Sequence, residues 1–234
     1  MKNILLAVTG LNPQVITETL FALHQSNQRV DEIHIITTKE GKERIYAELL
    51  SGGTGWFYRY LDEYGIDPKS IKFDKDTIHV ISDSSGREIS DIMDESDNEA
   101  LLKKCLELTF SFTKDPDTRV FFSIAGGRKT MSACLMVAAQ MYGREQDRIY
   151  HVLVSPEFER NKDFFYPPKK SKLIELRDEN GNPFFKETKY ANVNLISIPF
   201  LSVKKLFPSE YEIKDPESLM PFLIKGEKKN LWLI

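Results

Sequence analysis

The stretch RVFFSIAGGRKTMSACLMVAAQMY, Arg119 to Tyr142, changes character twice. Arg119 to Ile124 is a short apolar run with two phenylalanines and reads as a buried strand. From Arg128 to Tyr142 the apolar residues recur at helical spacing, and the glycines at 126 and 127 lie between the two patterns. A strand feeding a helix through a glycine turn is the repeating unit of a parallel α/β fold.

The same alternation continues outward. Strands are expected at Asn3 to Thr9, Glu32 to Thr37, Thr77 to Ser82 and Arg148 to Val154. Helices are expected near Pro13 to Gln25, Lys39 to Leu50, Gly55 to Tyr64 and Ser96 to Phe112, with Pro13 suited to a first helical position because it lacks an N–H. The pattern predicts an α/β chain with a Rossmann-like, doubly wound, mainly parallel sheet covered on both faces. In the common strand order 3-2-1-4-5, the first and fourth strands are neighbours where the winding reverses, and ligands bind outside their carboxyl ends. That point brings together TGLNPQ (Thr9 to Gln14) and AGGRKT (Ala125 to Thr130).

After Val154 the chain becomes aromatic and proline-rich, with a turn signal DENGNP between strand-like KLIEL and VNLISI. The expected division is residues 1–155 as the sheet domain and 156–234 as a small β-rich C-terminal extension, ending in a short helix near Leu201 to Leu206. Capping a ligand and building a dimer are roles open to this extension, and its run Phe164, Phe165, Tyr166 reads equally as core.

The chain has 234 residues and a formal net charge of -3, which argues against coating a long nucleic acid through bulk positive charge. Two cysteines, Cys105 and Cys134, indicate buried reduced thiols rather than a disulfide framework or a cysteine-rich metal site. The N-terminal apolar run is short for a signal-peptide core and no stretch is long enough to span a membrane, so a cytoplasmic location is expected. The four histidines are scattered without ligand spacing, and no metal or other cofactor is expected.

Gly126 and Gly127 permit close backbone approach, the following helix offers unpaired N–H groups, and Arg128 and Lys129 are suited to phosphate oxygens. A tight turn with two solvated cations explains the same residues. The stretch is not a P-loop, because Phe122 and Arg128 stand where that motif needs glycines, and the first loop lacks the dinucleotide-binding glycine pattern. Asn12 and Gln14 can read a nucleobase edge or a ribose, or Asn12 can serve as an N-cap. Arg144 and His151 have the R-x4–6-H spacing of HEPN ribonucleases, but His151 falls in the fifth strand and a structural role is expected for both. Asp91, Asp94, Glu95 and Asp97 precede a helix and suit its N-terminus.

Taken together, VTGLNPQVITETL, LSGGTGWFYRYLDEYG, SDIMDESDNEA, SIAGGRKTM, GREQDRIYHVLVSPEFE and DFFYPP resemble the CRISPR-associated family built on a CARF domain, the Rossmann-like sensor of cyclic oligoadenylates in type III immunity. The resemblance runs from residue 4 to about 168. It implies a ring nuclease that binds cyclic tetra-adenylate and cuts it to linear di-adenylate, a homodimer with one ring across its two-fold axis, and no HEPN effector domain. It further implies catalytic roles for Lys129, Thr9 and Arg128, and ligand contacts from Gly10, Leu11, Asn12, Gln14, Ser123, Ala125, Gly126, Gly127 and Thr130. A sensor that binds the ring uncut and regulates a partner is the alternative. A DNA-binding regulator is disfavoured by the β-rich, partly acidic C-terminal segment.

Overall fold

The computed structural model describes residues 1–203 and 215–225. Strands β1 (Lys2–Val8), β2 (Glu32–Thr37), β3 (Ile78–Val80), β4 (Thr118–Ser123) and β5 (Arg148–Val154) form one parallel sheet. A hairpin of β6 (Leu173–Arg177) and β7 (Pro183–Glu187) stands apart, and β8 (Val193–Ile198) pairs antiparallel with β5. The order β3-β2-β1-β4-β5-β8 is the doubly wound arrangement with one antiparallel edge strand.

Alternation along the central strands explains their unbroken apolar sequence. Leu5, Ala7, Ile33, Ile35 and Phe121 enter the core beneath α1 (Gln14–Gln25) and α3 (Trp56–Tyr64). Leu6, Val8, Ile36, Val120 and Phe122 enter the core beneath α4 (Glu95–Lys114) and α5 (Lys129–Tyr142). A sheet buried on both faces cannot afford polar alternation, so the strands read as continuous hydrophobic runs. Cys105 and Cys134 are free thiols within the second of these cores.

The expected helix Lys39 to Leu50 is divided. It begins as α2 (Lys39–Arg44), capped by the Thr38 hydroxyl, and continues as a single π turn over Ile45–Leu49. Gly55 then passes so close to the Leu49 carbonyl that a side chain there would collide with it, which ends the helix. The DENGNP turn also differs from expectation, because it closes onto β7 rather than leading directly to β8. Asp178 accepts hydrogen bonds from the Asn180 and Asn182 backbone N–H groups, and Gly181 takes a positive φ of 82°. Pro183, Lys186 and Glu187 weaken the strand signature of β7. The short helix expected near Leu201 to Leu206 falls largely outside the described residues; α7 (Pro216–Lys225) returns Leu219 to the core beneath α4 and α5.

The segment after β5 is fastened to the sheet domain by its aromatic run. It passes through α6 (Pro156–Glu159), and Trp56 then stacks on Phe165 with centroids 4.6 Å apart. The Thr17 hydroxyl donates to the Phe165 carbonyl at 2.8 Å, and Tyr166 donates to Glu63 at 3.1 Å. Phe165 and Tyr166 thus belong to the first core, while Phe164 packs with Phe158 and Leu176 in a third.

Arg144 has the expected structural role. Its guanidinium donates to the Thr113, Asp115 and Thr118 carbonyls and to Asp147, tying the end of α4 to the start of β4. Asp147 is fully buried and also accepts from the Val120 backbone N–H at 2.8 Å. Removing one partner of such a pair strands the other, so Asp147→Ala is expected to destabilise the chain by about 3–5 kcal/mol. Urea denaturation with an unchanged m-value checks this.

Candidate functional site

The two loops meet backbone to backbone. A side chain on Gly10 would rest on the Gly127 Cα at 3.5 Å, and one on Gly126 would run into the Val8 carbonyl and the Val15 side chain. Gly127 has a φ of 75°, which turns the chain from β4 into α5. The Ser132 hydroxyl reaches back to the Ile124 carbonyl at 2.7 Å and holds that turn. Because α5 starts with no side-chain cap, its first-turn N–H groups point outward without an intrahelical acceptor.

The expected site residues divide by exposure. Gly127, Arg128, Lys129 and Thr130 are exposed at the start of α5, as are Leu11 and Asn12 on the facing loop. No ion pair engages Lys129 among the described residues. Ala125 and Gly126 lie just behind this rim, and Gly10 is half-buried between the loops.

Thr9 and Ser123 are sealed. The Thr9 hydroxyl is fully buried and donates to the Asn12 carbonyl at 3.1 Å, so it shapes the first loop and cannot reach a ligand. Ser123 is 1% exposed and its hydroxyl faces that of Thr19 at 3.3 Å. Asn12 does not cap α1, which begins after Pro13 without a side-chain cap.

Arg128 is already occupied. Its fork grips Asp91 through Nε to Oδ1 at 2.8 Å and through a second bond from Nη2 to Oδ2. This pairing holds the Asp91 carboxyl below its usual pKa. Asp94 is the N-cap of α4 and accepts from the Asp97 N–H at 3.0 Å, while Glu95 and Asp97 occupy the first turn. Three of the four acidic residues therefore serve the helix start as expected, and Asp91 does not.

Behind Gly126 and Gly127 lies a cavity of about 350 Å³ between α1, β5 and the segment after α6. Asn12, Gln14, Ala125 and the two glycines line it, joined by residues not anticipated as ligand contacts: Glu18, His151, Glu159, Arg160 and Lys162. Gln14 donates through Nε2 to the Lys162 carbonyl at 3.1 Å, leaving its buried Oε1 without a partner among the described residues. His151 occupies β5 as expected and is among the residues that line this cavity.

Glu18 is only 7% exposed. Burial, and then the nearby Glu159 carboxylate, push its pKa up to about 8. The readable signal was its place on a helix face with Val15 and Ala22, both buried. Arg160 and Lys162 carry no such pattern, because only the docking of the segment after α6 brings them over the cavity. Among the described residues no group of three His, Cys, Asp or Glu side chains could hold a metal ion, and no helix is long and apolar enough to cross a membrane.

A glycine turn, an uncapped helix start and a neighbouring cavity thus lie together at the switch point of a doubly wound sheet. Over residues 12–228 the chain matches the family described as CRISPR-associated protein NE0113, and it belongs to that family. Among solved structures it is similar to Enterococcus italicus Csm6 bound to cyclic hexa-2′-fluoro-hexa-dAMP, at 16% identity and TM-score 0.41, covering 67% of this chain and 34% of that one. It is also similar to a type III CRISPR defence DNA nuclease activated by cyclic oligoadenylate, at 14% identity and TM-score 0.39, covering 78% of this chain and 30% of that one. The chain thus spans about a third of the length of these two structures. No curated protein matches it.

Glu18 gives the fold a distinctive pH dependence. A carboxyl whose folded pKa lies near 8, above the unfolded 4.5, stabilises fully below the lower value and loses that contribution as pH rises through the upper one. His79, pushed down to about 4 by burial, loses its contribution on the acid side, below about pH 6.5. Between about pH 6.5 and 8.5, wild-type stability is expected to fall by up to about 1.4 kcal/mol per pH unit, and Glu18→Gln to flatten that slope. Urea titrations across this window check it.

Proposed function

We propose that this CRISPR-associated chain is a CARF-type ring nuclease that binds cyclic tetra-adenylate as a homodimer and cuts it, ending type III signalling in the cytoplasm. The observation that carries the reading is the exposed, uncapped start of α5, where Lys129 stands without an ion-pair partner among the described residues, beside a glycine turn. That arrangement presents N–H groups and a mobile ammonium to phosphate oxygens at the switch point of the sheet. Its exposure suits a ligand shared across a two-fold axis, since a ring of four equal nucleotides offers the same half to each subunit.

The chemistry uses what the RNA linkage contains. A ribose 2′-OH attacks its adjacent phosphorus, the bond to the 5′-oxygen breaks, and a 2′,3′-cyclic phosphate and a free 5′-OH result. The proton leaves the attacking hydroxyl and one is returned to the departing oxygen. Lys129 stabilises the charge that develops on the phosphorus oxygens or the leaving oxygen, and the N–H groups of the turn and of the first helical residues hold the non-bridging oxygens. Arg128 contributes once a phosphate displaces Asp91. Thr9 acts through the backbone, by fixing the loop that faces the turn. None of these steps calls for a metal ion.

Incubation with cyclic tetra-adenylate in excess EDTA is expected to yield linear di-adenylate ending in a cyclic phosphate. Lys129→Ala is expected to lower the rate by about 10²-fold or more, comparable to the loss of one oxyanion donor. Chromatography of the products checks both. Tight binding with no cleavage identifies a sensor instead.

A further inference from the structure

The cavity behind the glycine turn is lined by two polar side chains of α1, Gln14 and Glu18. Glu18 is 7% exposed, lines the cavity and has no hydrogen-bond partner among the described residues. The Gln14 amide is oriented by its donation to the Lys162 carbonyl, which fixes Oε1 as an acceptor that is itself buried and unpaired. Leaving Gln14 Oε1 unpaired costs stability, which a ligand in the cavity that pairs with it would recover. Both belong to α1, one turn apart, and so address the same space.

We infer that Glu18 and Gln14 read the amino-bearing edge of an adenine base lodged in this cavity, making them specificity-determining residues for the cyclic nucleotide. This rests on the cyclic tetra-adenylate reading. A neutral carboxyl presents one donor and one acceptor side by side. Its O–H donates to the ring nitrogen N1 of adenine and its carbonyl oxygen accepts one hydrogen of the 6-amino group, while Gln14 Oε1 accepts the other. An ionised Glu18 has no donor and cannot make the first bond. The protonation that this pairing requires is supplied by the site: burial and the Glu159 carboxylate both favour the neutral acid at neutral pH. The remaining charged or titratable residues lining the cavity are His151 from β5 and Arg160 and Lys162 beyond α6. Because Gly126 and Gly127 line the cavity, a base lodged in it leaves the phosphates beside the exposed start of α5.

Calorimetric titration of the full chain with cyclic tetra-adenylate, at about pH 6.5 and about pH 9, tests this. Wild-type affinity is expected to fall by about tenfold at the higher pH, as Glu18 ionises. Glu18→Gln keeps a donor and an acceptor in the same places, so it is expected to bind within about threefold of wild type at the lower pH and to lose the pH dependence. Glu18→Ala is expected to bind at least about tenfold more weakly at the lower pH, as is the wild type with cyclic tetra-inosinate, which lacks the amino group. Should Glu18→Ala fold poorly, the comparison of Glu18→Gln with wild type decides. Cyclic tetra-adenylate bound with an unchanged pH profile in Glu18→Gln, or equally well by a folded Glu18→Ala, overturns the base-reading role and leaves the ring-nuclease reading standing. A folded wild type that binds no cyclic tetra-adenylate at either pH removes both.

Discussion

The site depends on one close approach, the contact between the ends of β1 and β4. A parallel sheet sets neighbouring strands at a fixed spacing, and two loops leaving adjacent strands in the same direction compete for the same volume. Here they coexist because Gly126 offers no side chain to the Val8 carbonyl and Gly10 none to Gly127. The backbone amides of the second loop are consequently near the surface, and α5 begins where an anion can reach it. Gly41, at the start of α2, extends the constraint by sitting against the Gly10 carbonyl and the Thr37 hydroxyl, which itself donates to the Thr9 carbonyl at 2.7 Å.

Behind that rim, the chain places opposite electrostatic conditions within a short distance. Lys129 and the helix start face solvent, where charge costs little. Glu18 is enclosed, where charge costs a great deal and the neutral acid is preferred. The boundary between the two regimes is the glycine turn itself, which lines the cavity from one side and supports the exposed helix start on the other. The far wall comes from the segment after β5, held in place by the stacking of Trp56 on Phe165 and by the Thr17 hydroxyl. The C-terminal part of the chain is in this way involved in the site without contributing a strand to its core, and β8 completes the sheet beside β5.

Much of the architecture was legible because local and tertiary signals agree. The strands β2 and β5 match their expected limits, and the apolar runs of β1 and β4 could be read because burial on both faces leaves little room for polar residues. Strand β7 was missed because Pro183 and two charged residues leave a signature weaker than tertiary pairing requires. At the site, residue type was readable and partnership was not. Arg128 has the chemistry of a phosphate ligand, but its engagement by Asp91 depends on a loop remote in sequence. Thr9 and Ser123 look available in a motif, yet the same close packing that creates the turn turns their hydroxyls inward. Arg160 and Lys162 reach the cavity only through folding of the segment that carries them.

The Arg128–Asp91 pair changes what anion binding at this rim would measure. A phosphate that meets a free guanidinium sheds its own solution counterions, and that release makes affinity fall with salt. Arg128 is already paired with Asp91 of the same chain, so a phosphate that takes its fork must displace a resident carboxylate. The displaced carboxylate stays tethered on the loop before α4 as a resident competitor. An incoming phosphate would have to outcompete that carboxylate through its greater charge and extra oxygens, and because both members of the pair are exposed, added salt weakens the resident contact as well as the new one.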